Sequence, residues 1–431
     1  MLETVKSKPA KGEHATPNHP EKITLVRARG SLVWDDKGRE YIDCTAQAWS
    51  NNLGANDPRV TEAAIAQIGQ ITHARPNFNS LPLLALNERL RKLAPGNLHQ
   101  IGYCLHGSLA VEMAIKLAFK NRPDAKNFMV LQDAYHGRSL TTLAASWPHP
   151  NNPFLSIMPR FARAPHPDTY RPRAGLTVEQ DSQLCLGMIE DMIVKGLDGQ
   201  VAGFMMEPIQ GNGGHNEFPL SFYKGVRDIC TRHGILLIWD EIQTGFGRMG
   251  TMWAADYYDV QPDIMTFGKG VGGGFPLAGI LADEKLSWFE EGEEALTFGQ
   301  SPISLAAAVA TIDAIISDDL CGRAKVQGEY ATTRLKEMQE RHPLIGDVRC
   351  PGLMVSIELV TDREKKTPAK HAAQEVYRRG VIHGVLFGES RYRGLGNLIK
   401  VKPPLDITHE QLAHSLNVLD QVLSEIEEEG L

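Results

Sequence analysis

Ile235-Leu236-Leu237-Ile238-Trp239 runs without a break into Asp240-Glu241-Ile242-Gln243. Five apolar residues followed by two acids read as a strand buried on both faces with charge at its tip. Desolvating a carboxylate is costly without a partner, so acids in such a place need a reason. Alone, the pair reads as a helix cap or a salt bridge. A second stretch alters the balance: Ile264-Met265-Thr266-Phe267 ends in Gly268-Lys269-Gly270, followed by Gly272, Gly273 and Gly274. A lysine between glycines at a strand end can enter a pocket with no neighbouring side chain in the way, although alone it reads as a surface turn.

Outward from these two tips, short apolar runs at 128–131, 201–206 and 277–281 alternate with helical spacing at 109–120, 180–195 and 221–233. That alternation predicts a parallel sheet covered by helices, with the chemistry at the carboxyl ends of the strands. Upstream, 30–43 reads as a hairpin around Asp36-Lys37-Gly38-Arg39, and 58–69 and 82–93 have helical spacing. Before it, the stretch to about Pro20 is polar and rich in Pro and Lys, and is expected as a loose arm. After Asp319 the pattern changes to a charged helix at 324–341, a strand at 352–359, a further helix and strand, and an acidic final helix. The fold class is therefore α/β: a large domain with a mostly parallel central sheet (61–318) and a smaller α+β domain (319–431). Residues 1–60 form an arm and hairpin packing with the small domain.

Bulk properties remove other classes. The 431 residues carry a formal charge of −7, which argues against nucleic acid or an anionic membrane surface as the partner. Six scattered cysteines suit a reducing compartment better than a disulfide framework or zinc site. No run approaches a membrane span and the first residues lack the apolar core of a secretory signal, so the expected location is cytoplasmic. The histidines form no metal-binding pattern, and no metal is expected.

An acid and a lysine on adjacent strand tips suit pyridoxal 5′-phosphate. This cofactor works as an electron sink only while its ring nitrogen stays protonated, which a buried carboxylate such as Asp240 enforces. It also needs an amine to hold it as a Schiff base and to move protons, the place for Lys269. Gln243 is in sequence reach of the ring hydroxyl. Gly107-Ser108 opens a strongly helical run, and free N–H groups there with a hydroxyl make an anion site, or an ordinary serine cap. Tyr135-His136-Gly137 follows the 128–131 strand, where an aromatic can stack on a ring. By contrast, Gly245-Phe246-Gly247-Arg248-Met249-Gly250 matches a dinucleotide fingerprint only by spacing, with two acids just upstream that would repel a pyrophosphate.

Together these segments, with Tyr135-His136-Gly137-Arg138, Glu207-Pro208-Ile209-Gln210, the run from Asp240 to Arg248 and Gly268-Lys269-Gly270, resemble the class III (fold type I) pyridoxal-phosphate-dependent aminotransferases over nearly the whole chain. The resemblance implies that Lys269 forms the Schiff base, Asp240 holds the ring nitrogen and Gln243 the ring hydroxyl. Gly107 and Ser108 hold the phosphate, Tyr135 stacks on the ring, and His136 and Glu207 belong to the cofactor site. Thr297 matches the threonine lent to the neighbouring subunit's phosphate, which implies a homodimer with shared active sites. The substrates implied are small amines, amino acids or ω-amines, and keto acids.

Departures from the family pattern concern the substrate. Leu109 and Val111 stand where an acid and an asparagine are usual, and Gln300-Ser301-Pro302 where Gly-Asn-Pro is usual. Lys400, in Lys400-Val401-Lys402-Pro403-Pro404, takes the place of an arginine that grips the substrate carboxylate. Arginine matches a carboxylate bidentately and lysine is a point charge. Lysine here is similar to the family's phospho-lyases, which eliminate from phosphorylated amino alcohols; the alternative is that Lys400 merely pairs with Glu207. Arg138, as in members acting on ω-amino acids, is placed to bind a distal carboxylate, phosphonate or sulfonate, or else to form a structural salt bridge. A lyase, decarboxylase or racemase of the same family is thus the alternative to an aminotransferase.

Overall fold

Seven strands form the central sheet, in the order Gln100–Cys104, Ala278–Ala282, Ile264–Phe267, Leu236–Asp240, Val201–Met206, Asn127–Leu131, Ala162–Ala164. The computed structural model describes residues 23–147, 152–390 and 396–430, so the expected loose arm lies outside the described residues. From Ile264–Phe267 onward the strands are parallel; Ala278–Ala282 runs against both its neighbours. Every residue of Val201–Met206 and of Ile264–Phe267 is buried, which is why their sequences show no alternation of apolar and polar residues.

The two faces are filled differently. Leu237 and Trp239 pack with Phe222, Tyr223 and Val226, whereas Ile238 packs with Ala110, Met113, Ala114 and Leu117. Those four belong to the helix Gly107–Asn121. Since side chains alternate along a strand, Asp240 falls on the Ile238 side, the side of that helix.

Several elements differ from their sequence reading, among them the strand Ala162–Ala164 and the helix Pro302–Ser317, which it leaves out, and the two that follow. The helix at 180–195 is an α-helix over Val178–Asp191, opened by a Thr177/Gln180 capping box and prolonged by a π-turn at Met192–Gly196. Gln100–Cys104 has too little apolar character to stand out as a strand. It is held by its place beside Ala278–Ala282, and a Cβ at its Gly102 would lie 2.6 Å from Met113 Sδ.

Beyond Leu320–Arg341, an antiparallel sheet orders Ile345–Arg349, Val355–Asp362, Leu398–Val401 and Gly388–Ser390. Lys370–Ile382 and His409–Glu428 are the helices that accompany it. The N-terminal strands Leu25–Arg29, Leu32–Asp35 and Glu40–Asp43 form a meander whose last strand pairs in parallel with Val385–Leu386. The hairpin turn uses Gly38 at φ 79°, and Asp35 Oδ1 accepts from the N–H groups of Lys37 and Arg39. The amide of Lys402 donates to Cys44 O at 2.9 Å, so the segment around residue 44 meets the segment around residue 402. Among the described residues no helix is long and apolar enough to cross a membrane.

Candidate active site

Asp240 and Lys269 come together because their strands are neighbours in parallel, with Asp240 paired to Thr266. Asp240 is buried, and its carboxylate is braced on both oxygens. Oδ2 lies 2.7 Å from His136 Nδ1, while Oδ1 accepts from Thr266 Oγ1 at 3.0 Å and Ile242 N at 3.2 Å. Lys269 follows three residues after Thr266, in a left-handed conformation at φ 46° that opens a short 3-10 turn, Lys269–Gly272. The glycine after it is required: a Cβ on Gly270 would lie 2.6 Å from Asn52 Nδ2. Burial pushes the Lys269 ammonium below its usual range, with the charges of Asp240 and Glu207 pulling it back up. An amine so placed spends more of its time as a nucleophile and base than a solvated lysine does.

The second acid of the strand tip has another task. Glu241 is fully buried and accepts from the amides of Ala254 at 2.8 Å and Ala255 at 2.9 Å, and from Thr244 Oγ1. It caps the short helix Ala254–Tyr258 and takes no part in the cavity.

Asp240 and Lys269 open on a cavity of ≈ 200 Å³ that is also lined by Gly107, Ser108, Tyr135, His136, Glu207 and Gln243. Gly107 and Ser108 start the helix Gly107–Asn121. The amides of Leu109 and Ala110 turn back to His106 O, leaving those of Gly107 and Ser108 for an anion. A side chain at 107 would fill the cradle, since a Cβ there lies 2.8 Å from Ile242 Cδ1. Ser108 Oγ accepts from the Arg138 amide at 3.1 Å. Glu207 accepts from the amides of Tyr135 at 2.8 Å and Gly211 at 3.0 Å, and burial pushes its pKa up to about 7. Gln243 Oε1 accepts from Lys402 Nζ at 2.9 Å.

Three sequence-nominated residues stand apart from this cavity. Thr297 is exposed, on the loop after the last strand of the central sheet. Arg138 is exposed, and its Nε donates to the Tyr135 hydroxyl at 3.1 Å with the guanidinium 5.6 Å from the ring centre. The pairing with Glu207 considered for Lys400 is not what is seen. Lys400 is completely buried and donates to Gly211 O at 2.8 Å instead of pairing with Glu207. Burial and the charge of Lys269 push its pKa down to about 7.

Trp49 and Lys402 escaped the sequence reading. The Trp49 ring lies 4.1 Å from Lys402 Nζ, 4.9 Å from Lys400 Nζ and 6.0 Å from Lys269 Nζ, so three ammonium groups surround one indole. It is presented by four successive left-handed residues, Ala46, Gln47, Ala48 and Trp49, at φ 44°, 49°, 63° and 64°. The Asp43 carboxylate holds this turn through Thr45 and through the Gln47 amide and side chain. Lys402 carried a signal that was available: a second lysine two residues after Lys400 points to the same side of a strand.

The donor set fits a phosphorylated pyridine aldehyde. There are helix-start amides and a hydroxyl for a phosphate, a braced carboxylate for a ring nitrogen, an amide for a ring hydroxyl, and a lysine for the carbonyl carbon. The family model for Aminotransferase class-III matches residues 14–423. The chain is 33% identical to an isoleucine 2-epimerase from Lentilactobacillus buchneri, over 94% of this chain and 90% of that one. It is 32% identical to an acetylornithine aminotransferase from Methanopyrus kandleri, over 93% and 94%. Its fold is similar to the crystal structure of an (S)-enantioselective omega-transaminase from Thermomicrobium roseum, with a TM-score of 0.87 and 29% identity over 94% and 93% of the two chains. Fold and site together define a pyridoxal-phosphate enzyme of fold type I. Within that class, the chain belongs to the class III aminotransferases.

Proposed function

We propose that this chain moves an amino group from an amino acid or ω-amine donor to a keto acid, with Lys269 as the residue that carries the cofactor and moves the substrate proton. One observation carries the reading: amine, braced carboxylate and helix-start amides line a single cavity. Bound there, pyridoxal phosphate supplies an electron sink for the pair left on the substrate carbon when its proton departs. The chain's own residues do the rest. Asp240, held by His136 and Thr266, keeps a negative charge at the ring nitrogen. Gly107 and Ser108 bind the phosphate, Tyr135 covers the ring, and Gln243 donates to the ring hydroxyl. Lys269, with its lowered proton affinity, accepts the substrate proton and returns it at a second carbon. Glu207 and Lys400 face the substrate end, and Arg138 takes a distal anionic group.

Thr297, exposed and not among the residues lining its own cavity, belongs in this reading to the phosphate site of a second copy, which makes the active form a homodimer. The same reading divides the chain into 1–60, 61–318 and 319–431. The first part goes with the last, a grouping supported by the pairing of Glu40–Asp43 with Val385–Leu386.

Lys400 in the arginine's place, and an epimerase among the relatives, favour a second reading in which the same carbanion is reprotonated or expels a group. Purified protein loaded with cofactor and given a panel of amines separates the two. Conversion to the pyridoxamine form without added keto acid supports amino transfer. Racemised amine, or ammonia, phosphate or carbon dioxide released without a keto acid, supports the second. Lys269→Ala is expected to abolish the visible band and borohydride fixation of the cofactor, and a band that survives refutes the attachment point.

A further inference from the structure

Lys402 has none of the roles assigned above, yet it is completely buried beside the cavity. Its position is imposed from three sides. The Lys402 amide bonds to Cys44 O, the following Pro403 carbonyl accepts from Arg248 Nη1 at 2.6 Å, and the Trp49 ring covers the ammonium at 4.1 Å. Its ammonium donates to Gln243 Oε1 at 2.9 Å. While it carries its proton the ammonium has no lone pair to offer, so the Gln243 amide cannot then be turned the other way without setting donor against donor. With Oε1 committed, Nε2 is the end of Gln243 left for the cavity it lines with Asp240 and Lys269. Gly211 leaves the slot for that oxygen: a Cβ there would lie 1.9 Å from it.

Burial first, and then charges mostly of its own sign, push the Lys402 ammonium well below its usual range. Lys400 lies on the strand that Lys402 follows, Lys269 at a tip of the central sheet, and Arg248 in the turn after Gln243, while Glu207 opposes them. His215, on the loop after Glu207, is buried and held well below its usual range by burial and by both lysines. Asp240 is tied to His136 and Thr266. Burying an ammonium in such company is costly, and an anionic oxygen on the far side of Gln243 offsets that cost.

We propose that Lys402 is a positioning residue for the cofactor: by holding the Gln243 amide oxygen it turns the Nε2 hydrogens to the ring hydroxyl oxygen of bound pyridoxal phosphate and keeps a cationic group behind that oxygen. This rests on the reading in which Lys269 carries the cofactor. With the cofactor joined to Lys269, the negative charge on the ring oxygen would help to hold the proton of the joining nitrogen. A donor and a positive charge behind the oxygen withdraw its electrons, so this proton leaves at a lower pH.

The test is a pH titration of the visible band in cofactor-loaded parent, Lys402→Met and Lys402→Gln. Lys402→Met is expected to raise the midpoint by about one pH unit and to weaken cofactor binding about tenfold. Lys402→Gln, which keeps a donor and loses the charge, recovers binding while its midpoint stays high. In a Gln243→Ala background, Lys402→Met adds little to the loss of cofactor affinity, because its route is already gone. An unchanged midpoint in Lys402→Met with the cofactor still fixed by borohydride on Lys269 overturns the proposal, as does full additivity with Gln243→Ala. Should Lys402→Met unfold, Lys402→Gln decides through the same midpoint. Failure of the underlying reading is separately visible, as a parent in which borohydride fixes nothing at Lys269.

Discussion

Glu207 and Lys400 are driven towards neutrality from opposite sides, Glu207 up to about 7 and Lys400 down to about 7, in both cases chiefly by burial. The lysine has a measurable signature. The unfolded chain keeps its lysine protonated to about 10.5. The folded state therefore bears the full cost of a buried ammonium below pH 7, and the cost fades as pH rises from 7 towards 10.5. Lys400→Met is expected to stabilise the protein by ~1–4 kcal/mol at pH 6, with the gain shrinking by pH 9. Thermal unfolding at the two pH values checks this, and a gain that grows with pH contradicts it. The same substitution should weaken anionic substrates more than neutral amines, which is the cost of removing a residue retained against stability.

At the scale of elements, two strand-tip features are separable. The start of Gly107–Asn121 depends on the absence of a side chain, because a Cβ at 107 would press on Ile242 Cδ1 at 2.8 Å. Gly107→Ala is expected to weaken cofactor binding about tenfold, and adding Ile242→Val, which deletes that methyl group, should restore most of it; equal affinities in all three proteins would show that the cradle tolerates a side chain. Glu241 tests the cap on Ala254–Tyr258. Burial pushes its pKa up to about 7, whereas an unfolded glutamate titrates at 4.5. Its contribution to stability is therefore complete below 4.5 and declines as pH climbs to 7. Glu241→Gln should gain on the parent as pH rises from 5 to 8, and unfolding curves that keep a constant separation would contradict the cap's buried ionisation. The sequence reading saw both acids but not their division of labour, since alternation along a strand tip cannot say which one meets a helix and which a cavity.

For the whole molecule, five of the seven central strands were legible because they are apolar on both faces, whereas Gln100–Cys104 and Ala162–Ala164 are not and were missed. The Asp240 to Lys269 spacing was legible because parallel neighbours deliver their tips to one edge. Left out was what the segments around residues 43–52 and 400–403 bring to the site. Nothing in Ala46-Gln47-Ala48-Trp49 announces a left-handed turn; it exists because the Asp43 carboxylate binds the residues after it. Arg248, embedded in a glycine run that mimics a dinucleotide fingerprint, is in fact a tie. It donates to Leu353 O, Pro403 O and Asn52 Oδ1, joining early, middle and late chain in the interior. Arg248→Met is expected to cost ~2–4 kcal/mol in denaturant unfolding by orphaning these acceptors, and Arg248→Lys should not restore it, one ammonium being unable to span the fork. A loss below the precision of the curves would deny Arg248 this part. The meeting of Cys44 with Lys402 carries a consequence for synthesis. Most of the cavity wall can form while translation is still under way, but a nascent chain still short of residue 402 has no strut behind Gln243. On the proposal made for Lys402, full cofactor retention waits until residue 402 has been added, so a product terminated before it would hold its ligand poorly.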